Sequence, residues 1–234
     1  MFLLQRLNRF FLMLVCLFTA NANSQSLVPD YSYQAQANAP VHYQAGTDYI
    51  VLDNPIRVAD PSKIEVVEVF WYGCGHCFHF EPIIEPWVKQ LPEDVNFVPM
   101  PVIWNETTEL HARMFYTAKQ LNKLDELHSV LFNAMNIEKK KLTKQSVIQQ
   151  LFEKQGIDKK DFENAFSSFS VSSQVRLAGS RVQSYGIEGT PEIVVNGKYR
   201  VSARLTGSQE KMLEVVDFLV NVERAKNKSA ATAP

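Results

Sequence analysis

The chain has 234 residues, 46% of them hydrophobic and 21% charged, with a formal net charge of −1. That length suits one domain, or one domain with an insertion, and leaves enough chain for a sizeable core. The near-neutral balance gives no case for nucleic acid as a partner.

The N-terminus reads as an export signal. Arg6 and Arg9 form a short basic region, Phe10 to Thr19 is apolar, and Ala20-Asn21-Ala22 has the A-x-A cleavage pattern. The apolar stretch is short for a bilayer span, which takes about 20 residues. Cleavage after Ala22 removes two arginines and no acid, so the mature charge becomes (24 − 2) − 25 = −3. It also removes Cys16 and leaves only Cys74 and Cys77. An exported domain stapled for stability usually carries several spaced cysteine pairs, and here one adjacent pair stands alone. Residues 23–45 are rich in Ser, Gln, Asn, Ala and Pro without periodicity, as a flexible leader would be. The sequons at Asn105 and Asn227 are short patterns that occur often by chance.

Ile64 to Trp71 (IEVVEVFW) is an apolar, β-branched run and predicts a buried strand. A helix is expected to start at the cysteines and run to about Leu91, kinked by Pro82 and Pro86. Val95 to Trp104 predicts a second strand. Pro99 and Pro101 lack N–H donors and sit two apart, so both face one side, which should be an unpaired edge. The period then becomes helical. Stripes at Leu110/Met114/Ala118, Leu124/Leu127/Leu131, Ile148/Leu151/Phe152, Phe162/Ala165/Phe166 and Val171/Val175/Ala178/Val182 predict five helices, with Thr143 and Asp158 as N-caps of the third and fourth. These stripes read as core, and the lysines at 139–141 and 144 as a solvated face. Glu192 to Val195 and Tyr199 to Ala203 flank Asn196-Gly197, a strong hairpin signal. A last helix is expected from a Thr206-x-x-Gln209 capping box to about Arg224, with a flexible tail over 226–234.

The order is strand, helix, strand, helical block, hairpin, helix. It predicts an α/β fold with a helical block inserted into one α/β layer. The expected divisions are a signal peptide (1–22), a leader (23–45), an α/β first part (46–105), an inserted helical domain (106–186), an α/β second part (187–225) and a tail (226–234).

Residues 70 to 82, FWYGCGHCFHFEP, hold the chemistry. A c-type haem site needs His directly after the second cysteine, and Phe78 stands there. Zinc needs four ligands. His76 and His79 offer the right atoms, but His76 lies inside the two-residue gap and no second CxxC exists. A structural disulfide over so short a loop is worth roughly 2 kcal/mol, the low end for a staple. A redox pair explains more. A Cys at the end of a strand and the start of a helix lies among free N–H groups, and the second Cys, one turn on, can close the ring. The thiolate is the attacking species, so its pKa sets its reactivity. Backbone N–H groups of His76 and Cys77, and positive charge on His76, are the candidates to lower it. Glu68, six residues before Cys74 inside the apolar strand, can be a buried proton carrier for Cys77 or an edge carboxylate that reaches solvent. Thr190-Pro191 can be a cis bond or an ordinary turn proline.

Taken together, EVFWYGCGHCFHFEP, the helical block and GTPEIVVNGKY resemble the DsbA family of thioredoxin-fold thiol oxidoreductases, over roughly Asp48 to Arg224. The resemblance implies a thioredoxin-like fold with an inserted helical domain and a protein dithiol oxidase that needs no cofactor or metal. It implies Cys74 as nucleophile, Cys77 as resolving cysteine, His76 as the tuning residue, Glu68 as the buried acid and Pro191 as a cis-proline. Thr190 and Gly75 would then face the substrate. A thiol pKa of about 3.5 is the family's own value, not one deduced from these residues. Gly75 departs from the proline common in that motif, and a lysine that accompanies the buried acid in some members is missing, Pro99 falling near its place. The implied partners are reduced exported proteins and a DsbB-type quinone-linked membrane oxidase, with the periplasm of a Gram-negative bacterium as compartment. A monomer is expected, and the separate dimerisation domain that periplasmic isomerases of this fold use is not seen in the sequence. A disulfide isomerase or reductase, and a peptide-holding chaperone with incidental cysteines, are the competing readings.

Overall fold

The structure, a computed structural model, describes residues 42–231. The expected signal peptide and nearly all of the leader lie outside the described residues. Five strands and eight helices follow in the order β1 (Ile50–Val51), β2 (Ile64–Phe70), α1 (Gly75–Val88), β3 (Val95–Pro101), α2 (Glu106–Gln120), α3 (Leu124–Asn136), α4 (Gln145–Lys154), α5 (Lys159–Phe166), α6 (Phe169–Ser184), β4 (Glu192–Val195), β5 (Tyr199–Ser202), α7 (Ala203–Thr206) and α8 (Gln209–Ala231).

The strands form one mixed sheet in the order β1-β5-β4-β2-β3. β2 lies between parallel β3 and antiparallel β4, and all seven of its residues are buried. Helices cover both faces of the sheet, which is why β2 reads as a continuous apolar run rather than an alternating one. On one face Ile64 and Val66 pack with Phe80, Ile84 and Trp87 of α1 and with Met212, Leu213, Val216 and Leu219 of α8. On the other, Val67 and Val69 pack with Phe115, Leu131, Phe152, Val175 and Val182 of the helices between β3 and β4. The period-2 alternation sends the two strand acids to opposite faces. Glu65 reaches the helical block, where Arg181 donates to both its carboxylate and the Tyr185 hydroxyl. Glu68 points to the α1 side.

β3 is an edge strand. The Val102 N–H donates to the Phe70 carbonyl at 2.8 Å, so alternate N–H groups of β3 serve β2 and the nitrogens of Pro99 and Pro101 face outward. The expected unpaired edge is therefore present, and it costs the sheet no hydrogen bond. The hairpin also follows expectation: Asn196 and Gly197 have φ of 51° and 63°. Gly197 has a second reason to be glycine. The Ile56 N–H donates to its carbonyl at 2.8 Å, and a Cβ at Gly197 would lie 2.0 Å from the Ile56 carbonyl oxygen.

Several ends differ from expectation. The cap of α4 is Lys144 rather than Thr143, and no side chain closes it. The Thr206 hydroxyl donates to the carbonyls of Ser202 and Ser208 instead of opening the last helix. Gly207, at φ 90°, ends α7, and the Ser208 hydroxyl accepts from the Lys211 N–H at 3.1 Å to start α8. The tail expected from Lys226 is helical through Ala231. Lys226 donates to the Tyr199 hydroxyl and to Glu223, a buried acid, and so ties the final turns down. At the other end the last leader residues are packed: Tyr43 sets its ring edge against Phe218 at 5.4 Å and donates to Glu214. Asn105 of the first sequon is an N-cap, accepting from the Thr107 and Thr108 N–H groups in a capping box.

Candidate active site

The chain leaves β2 at Phe70, turns through Trp71-Tyr72-Gly73 and enters α1. The Cys74 N–H donates to the Trp71 carbonyl at 2.9 Å, closing the turn, and the Cys74 carbonyl accepts the first helical bond from Phe78. Cys74 is thus the N-cap of α1, with extended backbone (φ −89°, ψ 116°). Its sulfur sits where the helix leaves N–H groups unpaired and its dipole is positive. No acidic side chain occupies the first turn to compete for them. Cys77 follows one turn on and is fully buried, while Cys74 is half-buried; both are thiols.

Position splits the two sulfurs chemically. The Cys74 thiol is pushed down to about 5. The first cause is the hydrogen bond it accepts from the Cys77 thiol; the Thr190 side chain and the N–H groups of Cys77 and His76 add to it, and partial burial opposes. Cys77 is pushed the other way, by burial first, then by its bond to Cys74 and the negative charges on Cys74 and Glu68. At neutral pH the pair therefore holds one thiolate and one thiol. The Cys74 thiol also lies 3.3 Å from the Thr190 carbonyl, to which it can donate. That contact favours the protonated form and is outweighed by the others.

The remaining sequence candidates fall as follows. The Thr190–Pro191 bond is cis, and the two residues stand beside the Cys74 sulfur. His76 is exposed and acts on Cys74 through its backbone N–H, while its carbonyl accepts from Gln209 at 2.8 Å. Gly75 is exposed, and a Cβ there would meet nothing within 4 Å apart from its chain neighbours. Glu68 is 2% exposed, with one carboxyl oxygen lacking any hydrogen bond. Burial first, then the Glu81 charge, raises its pKa well above the usual carboxylate range. Pro99 is its register partner in β3, so no lysine stands opposite it. Among the described residues, no three His, Cys, Asp or Glu side chains come together as a metal ion would require.

Two cavities take in residues of the candidate site. One of about 250 Å³ is lined by His76, Thr190, Pro191, Glu192, Arg204 and Gln209 and opens beside the cis bond. A larger one, about 570 Å³, lies between β2, β3, α1 and α3 and is lined by Glu68, Glu81 and His128 among others. Sequence reasoning missed Glu192, which is buried directly after Pro191 and ion-paired to Arg200 at 3.7 Å. It also missed His128 and His111. The His111 ring accepts from the Trp71 indole N–H at 2.9 Å and so holds the entry to the turn. Both histidines lie in the helical block, 37 or more residues after Cys74, with no local pattern to mark them.

Residues 92–214 match the DSBA-like thioredoxin domain family. The thiol:disulfide interchange protein DsbA of Pseudomonas aeruginosa is 39% identical over 186 residues, 80% of this chain and 88% of that one. That of Azotobacter vinelandii is 38% identical over 82% of this chain and 90% of its own. The crystal structure of the P. aeruginosa protein superposes with a TM-score of 0.77 at 39% identity, covering 80% of this chain and 97% of that one. Reduced DsbA1 of Neisseria meningitidis gives 0.72 at 28%, over 81% and 100%. With the mixed sheet, the intervening helices and the cysteine pair at a helix N-terminus all in place, this chain belongs to the DsbA family of thioredoxin-fold proteins.

Proposed function

We propose that this protein is a thiol:disulfide oxidoreductase that donates a Cys74–Cys77 disulfide to exported proteins and thereby oxidises their cysteine pairs. The observation that carries this direction is the Cys74 thiol held at about 5. Stabilising the thiolate stabilises the reduced protein, and the disulfide form is then the stronger oxidant.

In the reaction a substrate thiolate attacks Cys74 Sγ of the disulfide. The S–S bond breaks, its electron pair goes to Cys77 Sγ, and a mixed disulfide joins Cys74 to the substrate. Cys77 takes up a proton, and Glu68, protonated by burial and within electrostatic reach of Cys77, is the donor. A second substrate thiolate attacks the substrate sulfur and releases oxidised substrate and the Cys74 thiolate. Thr190 offers its backbone to the extended substrate as an added strand would, with Pro191 beside it and Gly75 leaving the approach open. A DsbB-type quinone-linked membrane oxidase reoxidises the pair. The protein acts as a monomer in the periplasm. Among its described residues no helix is long and apolar enough to cross a membrane.

The test is the thiol–disulfide equilibrium of the purified protein against a glutathione series. A potential near about −120 mV, the family's value, supports a dithiol oxidase, and one near about −270 mV reverses the electron flow and supports a reductase. Cys74→Ser should abolish oxidation of a reduced peptide. A wild-type protein that binds unfolded chains but never oxidises them would leave the chaperone reading in its place.

A further inference from the structure

Glu68 needs a proton route, and the structure shows what stands between it and solvent. The cavity of about 570 Å³ that Glu68 lines is walled by β2 and β3, by α1 and by α3 from the helical block. Its β3 wall opposite Glu68 is Pro99, which brings no charge. The unpaired Glu68 carboxyl oxygen has therefore no fixed partner from the sheet. Partly exposed groups stand farther out. His128 Nε2 lies 3.3 Å from Glu81 Oε2, and the two side chains are 22% and 24% exposed.

His128 is held in one orientation. Its Nδ1 lies 2.8 Å from the Tyr72 hydroxyl. Tyr72 is fully buried, and burial first, then the charges of Glu81 and Glu68, keep its phenol protonated. Tyr72 keeps its hydrogen, so its hydroxyl donates to Nδ1 of the neutral ring and accepts from Nδ1–H of the imidazolium, and in the imidazolium Nε2 carries a hydrogen toward Glu81. The imidazole edge packs on Phe70 at 5.4 Å and Phe132 at 5.1 Å. The other charges on the cavity wall are committed or peripheral. Glu85 and Lys89 pair with each other at 2.7 Å, and Asp125 lies in the first turn of α3.

We propose that His128, working with Glu81, is a positioning residue for the proton that Glu68 exchanges with solvent. This deepens, and rests on, the reading of Glu68 as proton donor to Cys77. When the S–S bond breaks, Cys77 Sγ takes the electron pair and then the Glu68 proton. Glu68 is left as a buried carboxylate facing the like charge of Glu81, which favours rapid reprotonation. Imidazolium at His128 gives its Nε2 proton to Glu81, the cavity is wide enough for water to carry it on to Glu68, and His128 is reprotonated from solvent. One solvent proton ends on Cys77. The inserted helices thus contribute a group to the chemistry as well as a lid over the sheet.

The experiment is single-turnover oxidation of a reduced dithiol peptide by the wild type and by Glu68→Gln, His128→Ala and His128→Asn. His128→Ala should slow the reaction by about 10-fold, less than the loss of a direct acid–base group. Added imidazole should restore its rate with rising concentration, while the Cys74 thiolate titration stays where it is in the wild type. Asn keeps an acceptor for Tyr72 but carries no proton, so His128→Asn should also be slow, and it serves if the Ala variant does not fold. A wild-type rate in a folded His128 variant, with Glu68→Gln slow, overturns the proposal and leaves Glu68 standing. So does a slow His128→Ala that imidazole leaves unchanged, which would assign His128 to packing alone. A wild-type rate in Glu68→Gln removes both roles, and a wild type that never oxidises the peptide removes the function beneath them.

Discussion

Removing the Cys77 thiol should raise the pKa of Cys74. The hydrogen bond from Cys77 is the largest of the causes that hold the Cys74 thiol at about 5. A hydrogen bond to a charged group contributes about 1.5–3 kcal/mol, and one pKa unit corresponds to about 1.36 kcal/mol. The bond alone is therefore worth about one to two pKa units. Cys74 is half-exposed, and solvent screening favours the lower end of that range. Cys77→Ala should accordingly titrate between about 6 and 7. Cys77→Ser keeps a donor in the same place and should stay nearer the wild type. The assay is the ultraviolet absorbance of the thiolate as a function of pH. In protein lacking residues 1–22, and so Cys16, Cys74 is the single cysteine of both variants and the assay is clean, as it is in the reduced wild type, where Cys77 is pushed up and out of the window. If Cys77→Ala titrates with the wild type, the Cys77 bond is not the main support. The helix N-terminus and Thr190 would then carry the thiolate.

The same titration links to stability. The Cys74 pKa is depressed in the folded reduced protein, so its contribution is present above the unfolded thiol value and is lost as pH falls through about 5. Near neutrality the reduced protein should melt above the oxidised one, with the gap closing toward pH 5; a gap independent of pH would contradict this. Glu192 behaves in the opposite sense. Burial raises it to about 7 against the pull of Arg200, so its contribution is present below the usual carboxylate value and is lost as pH rises through about 7. Glu192→Gln should flatten the fall in stability across that window, whereas parallel curves for variant and wild type would refute it. Gly197→Ala must adopt positive φ and meet the Ile56 carbonyl oxygen. It should lower stability to chemical denaturation by at least about 1–2 kcal/mol, the cost of the left-handed backbone alone, and an unchanged midpoint would show that the strap at Ile56 moves aside.

The sequence by itself determined the parts whose causes are local. An apolar β-branched run makes β2 wherever it is packed, Asn196-Gly197 turns the chain because both can take positive φ, and Asp158 caps α5 through its own neighbours. Cys-x-x-Cys at a strand-to-helix junction set two sulfurs on one helical turn, and Gly-Thr-Pro marked the loop that meets them. Some local signals were ambiguous because several residues competed for one end: Ser208 rather than Thr206 opens α8, and the final turns of α8 hold because Lys226 finds Tyr199 and Glu223. Only the tertiary structure decided how the site is tuned. Glu65 and Glu68 look alike in the sequence, three apart in one strand. The sheet sends one to Arg181 and the other into a cavity beside Glu81 and His128. His76 lies between the cysteines, and the fold aims its backbone N–H at the Cys74 sulfur. A pKa depends on the desolvation and fields of groups brought within a few ångströms, whatever their separation along the chain. Thr190, 116 residues from Cys74, becomes its neighbour only when β4 pairs with β2.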